Sequence, residues 1–294
     1  MALRLTRALS RSASTTMKPS PSLTPPPPQP TTTTKAPTSK TVLEVERKFR
    51  ALAVPSLTNA HLHNFTGMHR LPLTYTHYTP LFKSVVPLAT TTIHDVYYDT
   101  PGLEESGPGS RGTGKHRLST LGAWVRKRNG GWEAKVRRGG DFVNSRFEEL
   151  SGVQEIQECV RKTLEGSMGG SGGEAQVWEE KREEENFGLE KMAEFVTTRE
   201  GWLVDGEFKV VRDRMDFGHE VGEVELQVEV ERGITEEEKG RVMEEMDGKI
   251  EEFMTRYAWA WDRGKPVGKL TAYFEMVERG KEEKKEKAEV EGAC

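Results

Sequence analysis

Glu44, Glu46 and Lys48 alternate through Leu43-Glu44-Val45-Glu46-Arg47-Lys48-Phe49, and Glu223, Glu225, Gln227 and Glu229 alternate with Val224, Leu226, Val228 and Val230. A strand sends successive side chains to opposite faces, so each run has one charged and one apolar face. Two carboxylates at i and i+2 on one face repel. Water relieves that repulsion, and so does a hard divalent cation, which prefers carboxylate oxygens. A single strand of this kind reads as an ordinary half-buried strand with its polar side in water. The recurrence is what points to a site: two Glu-x-Glu strands facing each other would build one.

The cations lie elsewhere in the chain. Trp124-Val125-Arg126-Lys127-Arg128 runs through Asn129-Gly130-Gly131-Trp132 into Glu133-Ala134-Lys135. A two-residue Gly130-Gly131 turn would pair Arg128 with Glu133 and Arg126 with Lys135. Trp124, Arg126, Arg128 and Lys135 then share a face. Crowded cations need an anion, and the planar fork of arginine suits phosphate oxygens. Lys269, with Thr271 and Tyr273 on the same side, adds another cation on a strand expected over 268–276. An open sheet would expose these charges. A closed barrel would turn them inward, with helices covering its apolar outside. Inward acids on one wall and inward bases on another suit a polyphosphate with its metal.

The elements that would position these residues are read from periodicity. Alternation marks strands at 42–50, 92–99, 122–128, 132–137, 143–149, 208–214 and 222–230, besides 268–276. Helical spacing marks 152–164, 188–199 (Leu189, Met192, Ala193, Val196) and 235–257, the last entered by Thr235 with Glu238 three residues on. Residues 1–17 are rich in Arg and Ser and free of acid, the composition of a mitochondrial transit peptide; use of Met17 as a start would give a cytoplasmic form. Residues 18–40 read as an extended Pro/Thr/Ser linker. The expected organisation is therefore a disordered basic leader over 1–40, a tunnel domain over 41–276 and a charged disordered tail over 277–294.

Composition narrows the field. The 294 residues are 34% hydrophobic and 31% charged, with a net charge of −4. The leader is basic, so the body is more acidic than the whole chain, which argues against a generic nucleic-acid binder. No apolar run is long enough for a membrane-spanning helix. Two cysteines exclude a disulfide scaffold or a Cys-ligated metal site. His61-x-His63, in a segment (56–90) that reads as a surface insertion, has no acid cluster to support a metal site.

The ordered motifs resemble the CYTH superfamily, the triphosphate tunnel metalloenzymes. The likeness starts with Glu44-x-Glu46-x-Lys48 and passes through Tyr97-Tyr98-Asp99-Thr100-Pro101, Trp124-x-Arg126-x-Arg128, Gly131-Trp132-x-x-Lys135 and Phe195-Val196-Thr197-Thr198-Arg199. It ends with Val221-Gly222-Glu223-Val224-Glu225 and Lys269-Leu270-x-x-Tyr273. It is similar above all to the animal-type branch that acts on thiamine triphosphate. The resemblance implies an α+β fold: an eight-stranded antiparallel closed barrel with helices outside. It also implies Mg²⁺-dependent hydrolysis (Mn²⁺ being the alternative ion) of a small-molecule triphosphate. A monomer is expected, and the acidic body leaves no nucleic-acid partner expected.

Carried over residue by residue, Glu44, Glu46, Asp213, Glu223 and Glu225 would bind metal. Lys48, Arg126, Arg128, Lys135, Arg199 (at the end of the 188–199 helix) and Lys269 would grip the triphosphate. Trp124 would stack on the thiamine rings, and Lys48, Glu44 and Glu46 would form the catalytic set. Arg146 stands where relatives often carry an acid, leaving Glu148 or Glu149 to face inward. Two other readings keep part of this scheme. One is a tripolyphosphatase or nucleoside triphosphatase of the same fold. The other is a non-catalytic polyphosphate-binding module, against which the four Glu of the two Glu-x-Glu pairs speak.

Overall fold

A computed structural model of the chain describes residues 40–62, 80–101, 116–166, 182–231, 233–262 and 264–292. The leader up to residue 39 and His63, His69 and His77 lie outside these. The strands are β1 (Lys40–Phe49), β2 (Val85–Pro87), β3 (Thr91–Asp99), β4 (Ala123–Arg128), β5 (Gly131–Gly140), β6 (Asn144–Leu150), β7 (Glu190–Val204), β8 (Phe208–Met215) and β9 (Glu220–Glu231). The helices are α1 (Leu57–Leu62), α2 (Arg117–Thr120), α3 (Val153–Gly166), α4 (Glu236–Arg256) and α5 (Lys269–Gly292).

The sheet runs β2-β7-β3-β4-β5-β6-β1-β9-β8, and β8 pairs back onto β7. Eight strands thereby close into an antiparallel barrel. β2 is an addition, paired with Trp202–Val204 at the end of the long strand β7.

The apolar faces point outward and are covered by helices. Leu43 and Val45 of β1 and Val210 of β8 pack in one buried cluster with Met243, Met246, Ile250 and Phe253 of α4. Each such burial stabilises by about 1.5–3 kcal/mol. The start of α4 is fixed by the expected capping box: Thr235 accepts from the Glu238 amide and the Glu238 side chain accepts from the Thr235 amide. Asp247 then ties α4 to the barrel, accepting from Arg47 of β1 at 2.8 Å, Asn144 of β6 at 2.9 Å and Arg146 of β6 at 3.0 Å. A second cluster joins Val125, Ala134 and Trp132 to Ile156, Val160 and Leu164 of α3.

Four sequence expectations need correction. Residues 188–199 are not an α-helix; from Glu190 onward they form the first part of β7. The spacing of Leu189, Met192, Ala193 and Val196 imitated a helix face, but Phe195-Val196-Thr197-Thr198 is aromatic and β-branched, which suits a strand. Burial there alternates, with Ala193, Phe195 and Thr197 buried and Glu194 and Thr198 exposed. Residues 268–276 are not a strand; they begin α5, which seats Leu270 and Tyr273, one helical turn apart, against Tyr97, Phe195, Met215 and Val221 at one end of the barrel. In the charge run expected as a disordered tail, residues 277–292 are the exposed continuation of α5. The region 56–90 is not wholly surface. Leu57 and Phe82 are buried, and the Phe82 ring lies 4.5 Å from that of Tyr257 and 5.1 Å from that of Trp259.

The β4–β5 hairpin also differs from its expected register. The turn is Asn129-Gly130, at φ 50° and 86°, and Arg126 pairs with Glu133 and Trp124 with Lys135. Two successive residues at positive φ match the right-handed strand twist of a tight hairpin. The shift is an even number of residues, so every side chain keeps its face.

Candidate active site

The inward faces enclose a cavity of about 440 Å³. β1 supplies Glu44, Glu46 and Lys48; β4 supplies Trp124, Arg126 and Arg128; β5 supplies Lys135; β7 supplies Arg199; β9 supplies Glu223 and Glu225; and the first turn of α5 supplies Lys269. All the residues singled out in the sequence line this cavity except Asp213. That carboxylate is buried beneath it, where Arg199 Nε and Nη2 each donate at 2.7 Å and Lys269 forms an ion pair.

The register explains the assembly. β1 lies beside β9, with Glu46 opposite Glu225 and Lys48 opposite Glu223, so the two Glu-x-Glu runs are neighbours. The acids are almost wholly shielded: Glu44 is 2% exposed, Glu46 4%, Glu223 6% and Glu225 3%. They do not stand alone. Lys135 pairs with Glu44, and with Glu46 at 3.3 Å; Lys48 pairs with Glu46 and lies 3.9 Å from Glu223. Arg199 lies 3.6 Å from both Glu223 and Glu225. On the basic wall, Arg128 donates twice to Asp95 at 2.8 Å, and Arg126 donates to Glu133 at 2.8 and 3.1 Å and to the Tyr97 hydroxyl at 3.2 Å.

Burial and neighbours split the acids into two groups. Burial, reinforced by carboxylate neighbours, pushes the Glu44 and Glu225 pKa values up despite Lys135 and Arg199. Burial also acts on Glu46, Asp213 and Glu223, but the surrounding cations outweigh it and hold all three below the ordinary carboxylate range. Lys135 loses stability as a cation through burial, yet Glu44, Glu46 and Glu149 raise its pKa well above normal. The cavity lining is therefore dense in both acids and bases.

The donor chemistry fits a hard divalent cation. Glu44 and Glu225 are carboxylates whose pKa values burial and neighbouring carboxylates raise, and a cation beside them would favour their charged form. Among the described residues, no three acids or imidazoles converge on one point as they stand. The ammonium groups of Lys48, Lys135 and Lys269 pair with these same carboxylates. Glu44, Glu46, Glu223 and Glu225 line the cavity and are the residues that would hold a cation, whereas the Asp213 carboxylate expected to join them is engaged by Arg199 and Lys269.

Several cavity residues were not picked out from the sequence: Tyr97, Glu133, Arg137, Phe142, Phe147 and Lys209. Arg137 and Phe147 share the parity of Lys135 and Glu149, a signal the strand pattern carried. Phe142 lies in a turn, where periodicity says nothing. Of the two acids left open near Arg146, Glu149 is the one that lines the cavity. Glu148 faces outward to Lys239 at 3.0 Å, and Arg146 reaches Asp247 of α4.

Residues 83–258 match the CYTH domain family. β1, with its Glu-x-Glu-x-Lys run, precedes that span. The thiamine-triphosphatase of Homo sapiens is 30% identical over 151 residues, which are 48% of this chain and 57% of the human protein. The chain thus matches less than two thirds of that relative's length. A Pyrococcus horikoshii OT3 protein superposes with a TM-score of 0.41 at 15% identity, covering 79% of this chain and 99% of the other. A Hippeastrum protein described as revealing a dominant triphosphatase activity superposes at 0.35 and 16%, covering 77% and 98%. The family match takes in more than half of the chain, and the barrel it belongs to is built around inward charges of both signs: the chain belongs to the CYTH domain family.

Proposed function

We propose that the chain hydrolyses the terminal phosphoanhydride bond of a linear triphosphate, with thiamine triphosphate as its preferred substrate and Mg²⁺ as its cation. Thiamine diphosphate and phosphate are the products. The observation that carries the reading is the closed tunnel in which Lys48, Arg126, Arg128, Lys135, Arg199 and Lys269 face Glu44, Glu46, Glu223 and Glu225 across one cavity. The thiamine assignment is supported by the human relative and by Trp124 on the cavity wall.

Phosphoryl transfer asks little covalent chemistry of a protein; positioning and charge stabilisation carry it. Here the cations neutralise phosphate oxygens and hold the chain extended. Asp95, Glu133 and Asp213 keep three of them in place through two-point hydrogen bonds. The barrel walls shield the four Glu almost wholly from water, which strengthens the interactions they make. A bound divalent cation adds Lewis-acid neutralisation of the phosphate oxygens. The acids would hold it.

The test is phosphate release by the full chain from thiamine triphosphate, tripolyphosphate and ATP at equal concentration, with Mg²⁺ and with chelator. Release that needs the metal and favours thiamine triphosphate is the expected result. Preference for tripolyphosphate would keep the chemistry and discard the thiamine assignment. No release from any of the three would discard the enzyme.

A further inference from the structure

Among the described residues, one cavity cation stands apart. Lys48, Arg126, Arg128, Lys135, Arg199, Lys209 and Lys269 each have a carboxylate partner within 4 Å. No ion pair or side-chain hydrogen bond to a described residue is found for Arg137, which lines the same cavity from β5. Its guanidinium instead lies over the Trp124 ring, 5.0 Å from the centroid. The Trp124 ring also meets Phe147 edge-on, at 5.7 Å and 88°. Backbone geometry keeps Arg137 there: its amide donates to the Gly122 carbonyl at 2.8 Å, just ahead of β4.

We infer that Arg137 sets head-group selectivity by disfavouring a cationic ring on Trp124. The inference rests on the reading of Trp124 as the head-group platform. A cation is attracted to an indole face by the ring quadrupole. Arg137 already exploits that attraction, and among the described residues no carboxylate forms an ion pair with it, Asp141 acting on it only through space. A thiazolium arriving at the same indole must displace the guanidinium or sit on the opposite face with a like charge across the ring. Both outcomes weaken binding of a cationic head group. A neutral base escapes this penalty, and tripolyphosphate, which has no head group, avoids it entirely. Arg137 is therefore a specificity-determining residue, and its effect depends on the charge of the head group rather than on the phosphates.

The test is calorimetric titration of the full chain, in chelator so that nothing turns over, with thiamine triphosphate, ATP and tripolyphosphate. Wild type is compared with Arg137→Gln and Arg137→Glu. Arg137 is exposed, so both variants should keep the wild-type melting temperature. Loss of the arginine weakens attraction for every triphosphate, so the ratio of dissociation constants is what is read. The preference for thiamine triphosphate over tripolyphosphate should rise about two- to fivefold in Arg137→Gln, the range an exposed cation–π contact spans. It should rise further in Arg137→Glu, while the ATP-to-tripolyphosphate ratio stays put. An unchanged ratio, or equal weakening of all three ligands, would make Arg137 a phosphate grip and overturn the inference. An equal gain for ATP would mean that the side chain acts by bulk, and would overturn it too. Binding with the expected ratios but without turnover in Mg²⁺ would leave Arg137's role standing and remove the hydrolase reading. Failure of all three ligands to bind would remove both.

Discussion

At the scale of single residues, Lys48 and Arg126 show how the site works. Lys48 bridges the two acidic strands through Glu46 and Glu223, and Arg126 is fixed by Glu133 and Tyr97 with its guanidinium on the cavity wall. Both are cations preorganised where phosphate charge would lie. Lys48→Ala or Arg126→Ala is expected to lower kcat/KM for triphosphate hydrolysis by roughly 10²–10³, as loss of one preorganised donor does elsewhere. Circular dichroism of the folded chain should be unchanged. Wild-type turnover in either variant would show that the cavity is not where the reaction occurs. Their place on the cavity wall was legible in the sequence because side-chain parity survives errors of register. The hairpin slipped by two residues, and Trp124, Arg126, Arg128 and Lys135 stayed on one face. What parity could not show was pairing. Asp213 reads as a metal ligand in the sequence, and in the fold it is buried under Arg199 and Lys269.

At the scale of elements, one carboxylate of α4 gathers the polar contacts of two barrel strands, beside the apolar packing that seats the helix. Asp247 takes hydrogen bonds from Arg47, Asn144 and Arg146, and burial, which alone would raise its pKa, is outweighed by these partners. Asp247→Asn keeps one acceptor oxygen but removes the charge and turns an NH2 donor toward the other donors, leaving Arg47 or else Arg146 and Asn144 without that acceptor, a cost of about 2 kcal/mol. For a chain this size that lowers the melting temperature by roughly 4–8 °C. Thermal unfolding followed at 222 nm checks it, and an unchanged melting point would mean that water replaces the carboxylate. The same scale shows where sequence reading goes astray. Residues 188–199 carry both a helical spacing and a β-branched run, and the vacancy between β3 and β8 decides for the strand. Residues 268–276 alternate like a strand, but all eight barrel positions are taken by other segments, and the segment closes the barrel end as a helix.

At the scale of the whole molecule, the buried charges make stability depend on pH in two directions. Asp95, Glu46, Asp213 and Asp247 have folded pKa values below their unfolded ones. Their contribution is fully present above the unfolded carboxylate range, about pH 4, and is lost as pH falls through the folded values. Glu44 and Glu225 have raised values, so they oppose folding when ionised and cease to do so as pH falls toward their unfolded values. Without divalent cation, the melting temperature should rise on going from neutral to mildly acidic pH and then fall steeply below about pH 4. A melting temperature that only falls from pH 7 downward would contradict the raised Glu44 and Glu225.

The sequence by itself determined which residues would share a face, because a strand's side-chain period is two and local. Acids on β1 and β9, bases on β4 and β5, and the capping box of α4 all follow from that locality. The sheet order was decided only by the tertiary structure: β9 and β6 flank β1, and β8 closes on β7. Partnership between distant strands depends on burying their apolar faces against α3, α4 and α5 together, and no local pattern encodes that. The placement of Lys269 at a helix start, of Glu149 rather than Glu148 inside, and of Arg137 on the Trp124 ring all belong to that non-local packing.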